Sequence, residues 1–245
     1  MTAREIADRL LAARRTGRPF AAAPADGPAD EAGALAAQAL VAAGAGPAGA
    51  FKTGRKTADA APLMAPILAS VVHGTGAVIA GGRLRGVELE VGFRLERPAP
   101  DPDDPDFIAK LRGCLVALPA IEIVESRFED MDAAGPLWKL ADNQSNGALV
   151  LGEPVADWSA LPLAAPVLRL EIAGEVVQEG PTPAPGGDPF ATFAAFVRRL
   201  GGHCGGLAPG LTVITGSLTG MRFTVPGAAV EGRIDGLGTV SCRFA

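Results

Sequence analysis

The chain has 245 residues, 48% hydrophobic and 20% charged, enough for one large core or two small ones. A formal net charge of −5, a pI near 5.1 and no basic run longer than pairs such as Arg14-Arg15 and Arg198-Arg199 exclude the footprint of a nucleic-acid binder and point to a small ligand. Apolar stretches are broken by Gly, Pro or charge well short of the roughly twenty residues a bilayer crossing needs, so no membrane partner is expected.

The opening Met1-Thr2-Ala3-Arg4-Glu5 lacks an apolar signal core, and Cys114, Cys204 and Cys242 are widely spaced. Both features predict a cytoplasmic protein with reduced thiols, without disulfides or a zinc cluster. Residues 4–15 set Ile6, Leu10 and Leu11 at helical spacing, Pro19, Pro24, Gly27 and Pro28 make a loop, and 29–43 read as an Ala-rich helix. These pieces form an expected N-terminal helical appendage over residues 1–50. From Phe51 the texture changes to short β-type runs at 76–80, 86–95, 115–124, 148–151, 167–178, 211–217, 222–225, 228–234 and 237–244. Two helices, 106–114 and 189–200, interrupt them; Phe190, Phe193 and Phe196 on the second form a stripe suited to core packing. Strands without regular β-α-β alternation predict an α+β or mostly β fold.

Two glycine-rich stretches do not carry nucleotide chemistry. Gly44 to Gly49 follows a helix where a dinucleotide loop follows a strand, and Arg55 breaks the phosphate-loop register between Gly49 and Thr57. His203 and Cys204 are neighbours in sequence, which does not by itself make their side chains face each other as a nucleophilic pair needs.

The acidic residues are more informative. Glu88 and Glu90 are two apart on the run Gly86 to Phe93, so as a strand they share a face. That face is either the wet side of a half-buried strand or a pair of oxygen ligands for a hard cation. Glu122 lies among Ile121, Ile123 and Val124 without polar alternation, and a carboxylate in such surroundings needs a partner or a metal. Three such glutamates together favour one metal site.

With these residues in place, the chain resembles the fumarylacetoacetate hydrolase superfamily, in its branch of 2-oxopent-4-enoate hydratases and 4-oxalocrotonate decarboxylases. Ile6 to Arg14, Gln38 and the Phe51-Lys52-Thr53-Gly54 turn resemble its opening blocks. Glu88-Leu89-Glu90 resembles its E-x-E strand, Pro119 to Phe128 its third-ligand segment, Ala141-Asp142-Asn143-Gln144-Ser145-Asn146-Gly147 its A-D-N-x-S block, and Val213 to Ser217 and Gly236 to Ser241 its C-terminal blocks.

The resemblance implies a mixed β-sandwich or roll with peripheral helices, catalysis in a β-rich domain spanning 51–245, and assembly into homo-oligomers, with or without a paralogous subunit. It also implies Mg2+ or Mn2+ on Glu88, Glu90 and Glu122. A short unsaturated 2-oxo acid would chelate the ion and react as a hydratase or decarboxylase substrate through a metal-stabilised dienolate. Lys52, Asp142 and Ser145 would be catalytic, and Lys52, Ser145, Thr215 and Gly216 would bind substrate. The chain departs from the pattern where Ala61 to Leu68 lacks the aspartate of a Pro-Asp-x-Gly loop and where Leu211 replaces an aspartate. Asp142 and Glu125 are the best substitutes, because both lie in blocks that would approach the site. Two other readings stay open: an acylpyruvate-type C–C hydrolase, for which no His-Glu pair is found, and a non-catalytic subunit retaining the fold.

Overall fold

Alternation along 86–95 sorts that strand's side chains onto two faces, and the stacking of the molecule follows from the sorting. The computed structural model describes residues 1–245. In chain order the elements are α1 (Ala3–Thr16), α2 (Glu31–Ala45), β1 (Ala48–Gly54), β2 (Leu63–Leu68), β3 (Val72–Gly74), β4 (Ala77–Ile79), β5 (Gly86–Leu95), α3 (Phe107–Arg112) and β6 (Leu115–Val124). They continue with α4 (Pro136–Ala141), β7 (Asn146–Leu151), β8 (Val167–Ile172), β9 (Glu175–Pro181), α5 (Pro189–Leu200), β10 (Thr212–Ser217), β11 (Arg222–Phe223), β12 (Ala229–Ile234) and β13 (Gly238–Phe244).

The larger sheet is mixed and curled, ordered β2-β1-β10-β5-β6-β7-β3, with β11 pairing onto the end of β5. The smaller is ordered β4-β13-β12-β8-β9. Val87, Leu89, Val91 and Phe93 face the smaller sheet and α5, meeting Leu170, Val230, Val240, Phe193 and Phe196 in the main core. The phenylalanine stripe is therefore packing, with Phe193 against Phe93 at 5.5 Å and Phe196 against Phe51 at 5.7 Å between ring centroids. This is the expected α+β fold: a curled mixed sheet, a second sheet and peripheral helices.

The opposite face of the curled sheet forms the inside of a half-barrel. Ala50, Ile67, Leu118, Ala120, Leu149 and Ile214 fill part of it with a small apolar cluster. Further along the same strands that face carries Glu88, Glu90 and Glu122. Helices α1, α2 and α4 enclose a separate core of Ile6, Leu10, Val41, Phe128, Trp138 and Leu140, so the N-terminal helices pack on residues far along the chain. The expected division after residue 50 falls inside β1. No helix is long and apolar enough to cross a membrane.

Strand β3 and helix α4 were not foreseen, and three other parts of the fold differ from the sequence reading. Lys52 lies in mid-strand on β1, between β2 and β10, where a turn was expected. Strand β2 was missed because Pro66 reads as a breaker; it is tolerated because β2 is the sheet edge. The single run expected over 167–178 is a hairpin, reversed at Ala173 and Gly174, whose φ angles of 55° and 84° suit a two-residue turn.

Candidate metal centre

Pairing of β5 with β6 sets Glu88 directly opposite Glu122, and Glu90 is two residues on along the same face. Carboxylate oxygens of Glu88, Glu90 and Glu122 lie within 4.8 Å of one another. Glu90 and Glu122 are buried and Glu88 is half-buried. Like charges directly across two strands repel, so the arrangement asks for positive charge between them.

One positive group is in place. Lys52 Nζ donates to both oxygens of Glu122, at 2.6 and 2.5 Å, and to the Gln144 carbonyl at 3.2 Å. Burial opposes the Lys52 charge, but Glu122, Glu88 and Glu90 together hold its pKa above the ordinary lysine value. Burial, then the Glu122 charge, raises the Glu88 pKa; the same causes, with Glu88 added, push Glu90 well above the usual carboxylate range. Three carboxylates against one ammonium leave two negative charges, which a divalent cation would balance. The all-oxygen donor set fits a hard ion of the magnesium or manganese kind.

Backbone geometry aims further groups at the glutamates. A bulge in β10 between Ile214 and Ser217 turns the Gly216 N–H to donate to Glu90 Oε2 at 2.6 Å, with Gly216 at φ 113°, a conformation that favours glycine. Asn146 Nδ2 donates to Glu122 Oε1 at 2.8 Å. Just before it, Asn143, Gln144 and Ser145 are successively left-handed, with φ of 52°, 51° and 59°. Such a run costs roughly 1–2 kcal/mol per residue and persists only where the surroundings dictate it.

Here Asp142 and Arg127 dictate it. The Ser145 N–H donates to the Asp142 carbonyl and the Glu125 N–H to the Ser145 carbonyl. Arg127 donates to the Asp142 carboxylate at 2.6 Å, to the Asp142 carbonyl at 3.1 Å and to the Asn146 carbonyl at 2.9 Å, clamping both ends of the turn.

Not every candidate from the sequence faces the glutamates. Asp142 is fully buried, and its carboxylate is engaged by Arg127 and, at 3.2 Å, by Arg14. Glu125 accepts from the backbone N–H groups of Leu84 and Ser126. The Thr215 hydroxyl donates to the Val91 carbonyl, and the Gly216 amide is held by Glu90. Ser145 Oγ and Asn143 Oδ1, beside the lysine's carbonyl partner, are buried with no protein partner.

The sequence reading did not single out Gln144, whose part is played by its carbonyl, nor Asn146 as the Glu122 donor. Their signal was position within the A-D-N-x-S block, not residue type. His203 and Cys204 do meet, at 3.3 Å. Gln38 holds the imidazole at 2.7 Å and burial lifts the thiol to about 11, which disfavours the thiolate a nucleophile needs.

Comparison with known proteins finds relatives of the chain. A family model described as fumarylacetoacetate (FAA) hydrolase C-terminal matches residues 41–245. The chain is 33% identical over 187 residues to 2-keto-4-pentenoate hydratase 1 of Dechloromonas aromatica (strain RCB), covering 75% of this chain and 70% of that protein. It is 29% identical over 127 residues to 4-oxalocrotonate decarboxylase of Pseudomonas putida, covering 52% of this chain and 48% of that one. Among solved structures, 4-oxalocrotonate decarboxylase from Pseudomonas putida G7, complexed with magnesium and adipate, superposes with a TM-score of 0.82 at 21% identity, over 99% of this chain and 97% of that one.

Proposed function

The chain belongs to the fumarylacetoacetate hydrolase family, and from that premise we propose that it is a divalent-metal-dependent lyase acting on a short unsaturated 2-oxo acid of the meta-cleavage type. The observation that carries the reading is the convergence of Glu88, Glu90 and Glu122, with Lys52 on the third. These glutamates would hold Mg2+ or Mn2+, which when bound supplies a Lewis acid that draws negative charge onto the 2-oxygen of a chelating 2-oxo acid.

The chain's own residues do the rest. Lys52 balances the site's charge and holds or delivers a proton beside Glu122. Ser145, with its unpartnered buried hydroxyl, is the substrate-binding group of the A-D-N-x-S block. Asp142 is catalytic only at one remove: through Arg127 it positions the left-handed turn that carries Ser145 and the Gln144 carbonyl. Gly216 fixes Glu90, and the Thr215 to Gly216 segment forms the adjoining wall. Assembly into homo-oligomers belongs to the same reading.

Decarboxylation is favoured over hydration. Adding water across a double bond needs an acid at one carbon and a directed water at another, whereas losing CO2 needs chiefly stabilised charge. The loop aspartate is missing, and Asp142 and Glu125 are engaged elsewhere. The test is a panel of 2-hydroxydienoates and 2-oxo-3-enoates, with and without a second carboxylate, followed by ultraviolet absorbance with magnesium or manganese. Activity confined to substrates with a second carboxylate is expected; efficient hydration of 2-hydroxypenta-2,4-dienoate would overturn the choice. Inactivity on the whole panel with a cation bound would instead favour a non-catalytic subunit.

A further inference from the structure

A cavity of about 650 Å³ lies where the C-terminal end of α1 meets the chain leaving β6. None of Lys52, Glu88, Glu90 or Glu122 lines it. The charged residues that do are Arg14, Arg15, Arg83 and Arg127, against the single carboxylate of Glu125. Asp142, behind Arg14 and Arg127, neutralises one more charge, so four guanidiniums face two carboxylates.

The two carboxylates are not free to meet the rest. Glu125 is held by the backbone N–H groups of Leu84 and Ser126. Asp142 accepts from Arg127 at 2.6 Å and from Arg14 at the longer 3.2 Å. Arg127 bonds Asp142 and the Asn146 carbonyl through each of its nitrogens, whereas Arg14 bonds Asp142 through Nη2 alone. An arginine on a cavity wall with donors to spare is suited to an anion, whose oxygens make charge-assisted hydrogen bonds with a guanidinium. Burial, then the neighbouring Arg127, lowers the Arg14 pKa to about 10 despite Asp142. Arg83 gives one Nη2 bond to the Phe128 carbonyl, and Arg15 stands exposed at the rim.

We infer that this cavity is a binding site for a small oxyanion, a carboxylate or phosphate compound gripped by Arg14, Arg83 and Arg15. Guanidinium forks match the paired oxygens of either group, and the volume suits a small metabolite. The site is separate from the metal centre.

Isothermal titration of the full chain with inorganic phosphate and, separately, with succinate tests the inference and distinguishes the two sources. Each titration is run with and without magnesium and against sodium chloride of matched ionic strength. Saturable one-to-one binding of at least one probe is expected, unaffected by magnesium or by Lys52→Met. Arg83→Gln and Arg15→Gln should each weaken it by about tenfold, as removal of a charge-assisted contact does. These two variants carry the test if Arg14→Gln fails to fold. Absence of saturable binding by both probes, or binding that Lys52→Met abolishes and Arg83→Gln leaves intact, would overturn it. No outcome depends on turnover, so the proposed lyase activity stands or falls separately.

Discussion

Lys52 and a divalent cation call on the same carboxylate, because both oxygens of Glu122 lie within 2.6 Å of the ammonium. A cation held by Glu122 would compete with Lys52 for those oxygens. Lys52→Met is therefore expected to keep or tighten Mn2+ affinity, read by electron paramagnetic resonance titration, while turnover falls by about 10²-fold or more. Intact turnover would return Lys52 to a structural role.

Glu88 and Glu90 give the pH dependence. Their pKa values are raised in the fold, so the stability they contribute is complete below the unfolded value of 4.5 and is lost as pH rises through the folded values. Lys52, raised from 10.5, keeps its contribution throughout that range. The metal-free protein should thus lose thermal stability as pH rises above the unfolded value of 4.5, while the gain in Tm on adding Mg2+ grows in the same direction, since binding releases protons. A magnesium-induced shift that is larger at the acid end would contradict this assignment.

At the scale of elements, the turn from Asn143 to Ser145 shows where strain is held. Gln144 is left-handed with a half-buried side chain, and its functional atom is its carbonyl. Gln144→Val should destabilise the protein by about 1–2 kcal/mol in urea, because a β-branched residue resists that conformation. Gln144→Gly should not, since glycine adopts it freely. Equal effects would mean that the side chain, not the backbone, matters.

How legible each element was follows from its chemistry. Strand β5 announces itself because one face meets the core and the other carries charge. Strand β1, Ala-Gly-Ala-Phe-Lys-Thr-Gly, hides because small residues suit its crowded position between β2 and β10, and its lysine and glycines read as a turn. The hairpin of β8 and β9 reverses on Ala-Gly in place of the usual Asn-Gly, so no turn signal is visible. In the site, the glutamates were legible through their unfavourable setting. Asp142 was not, because sequence order cannot say which side of a turn a carboxylate faces, and here two arginines from distant segments claim it.

At the scale of the molecule, the two cores decide whether the β-rich body can stand alone. Strand β1 begins at Ala48, so a chain starting at Pro47 would keep every strand. It would also uncover Phe128, Trp138 and Leu140, remove Arg14 from Asp142, and take away Gln38, whose side chain bonds the carbonyls of Met64 and Leu140. Removing one partner from a buried ion pair costs about 3–5 kcal/mol, and exposing large apolar side chains costs about 1.5–3 kcal/mol for each, a sum comparable with the whole stability of a typical domain. The truncated chain is therefore expected to be insoluble or unfolded, whereas Trp138→Ala in the full chain should lose about 3–5 kcal/mol and still fold. Circular dichroism and urea denaturation of both check this. A truncated chain that folds cooperatively and binds Mn2+ would make the N-terminal helices a separable appendage, and the A-D-N-x-S turn would then hold its shape without Arg14.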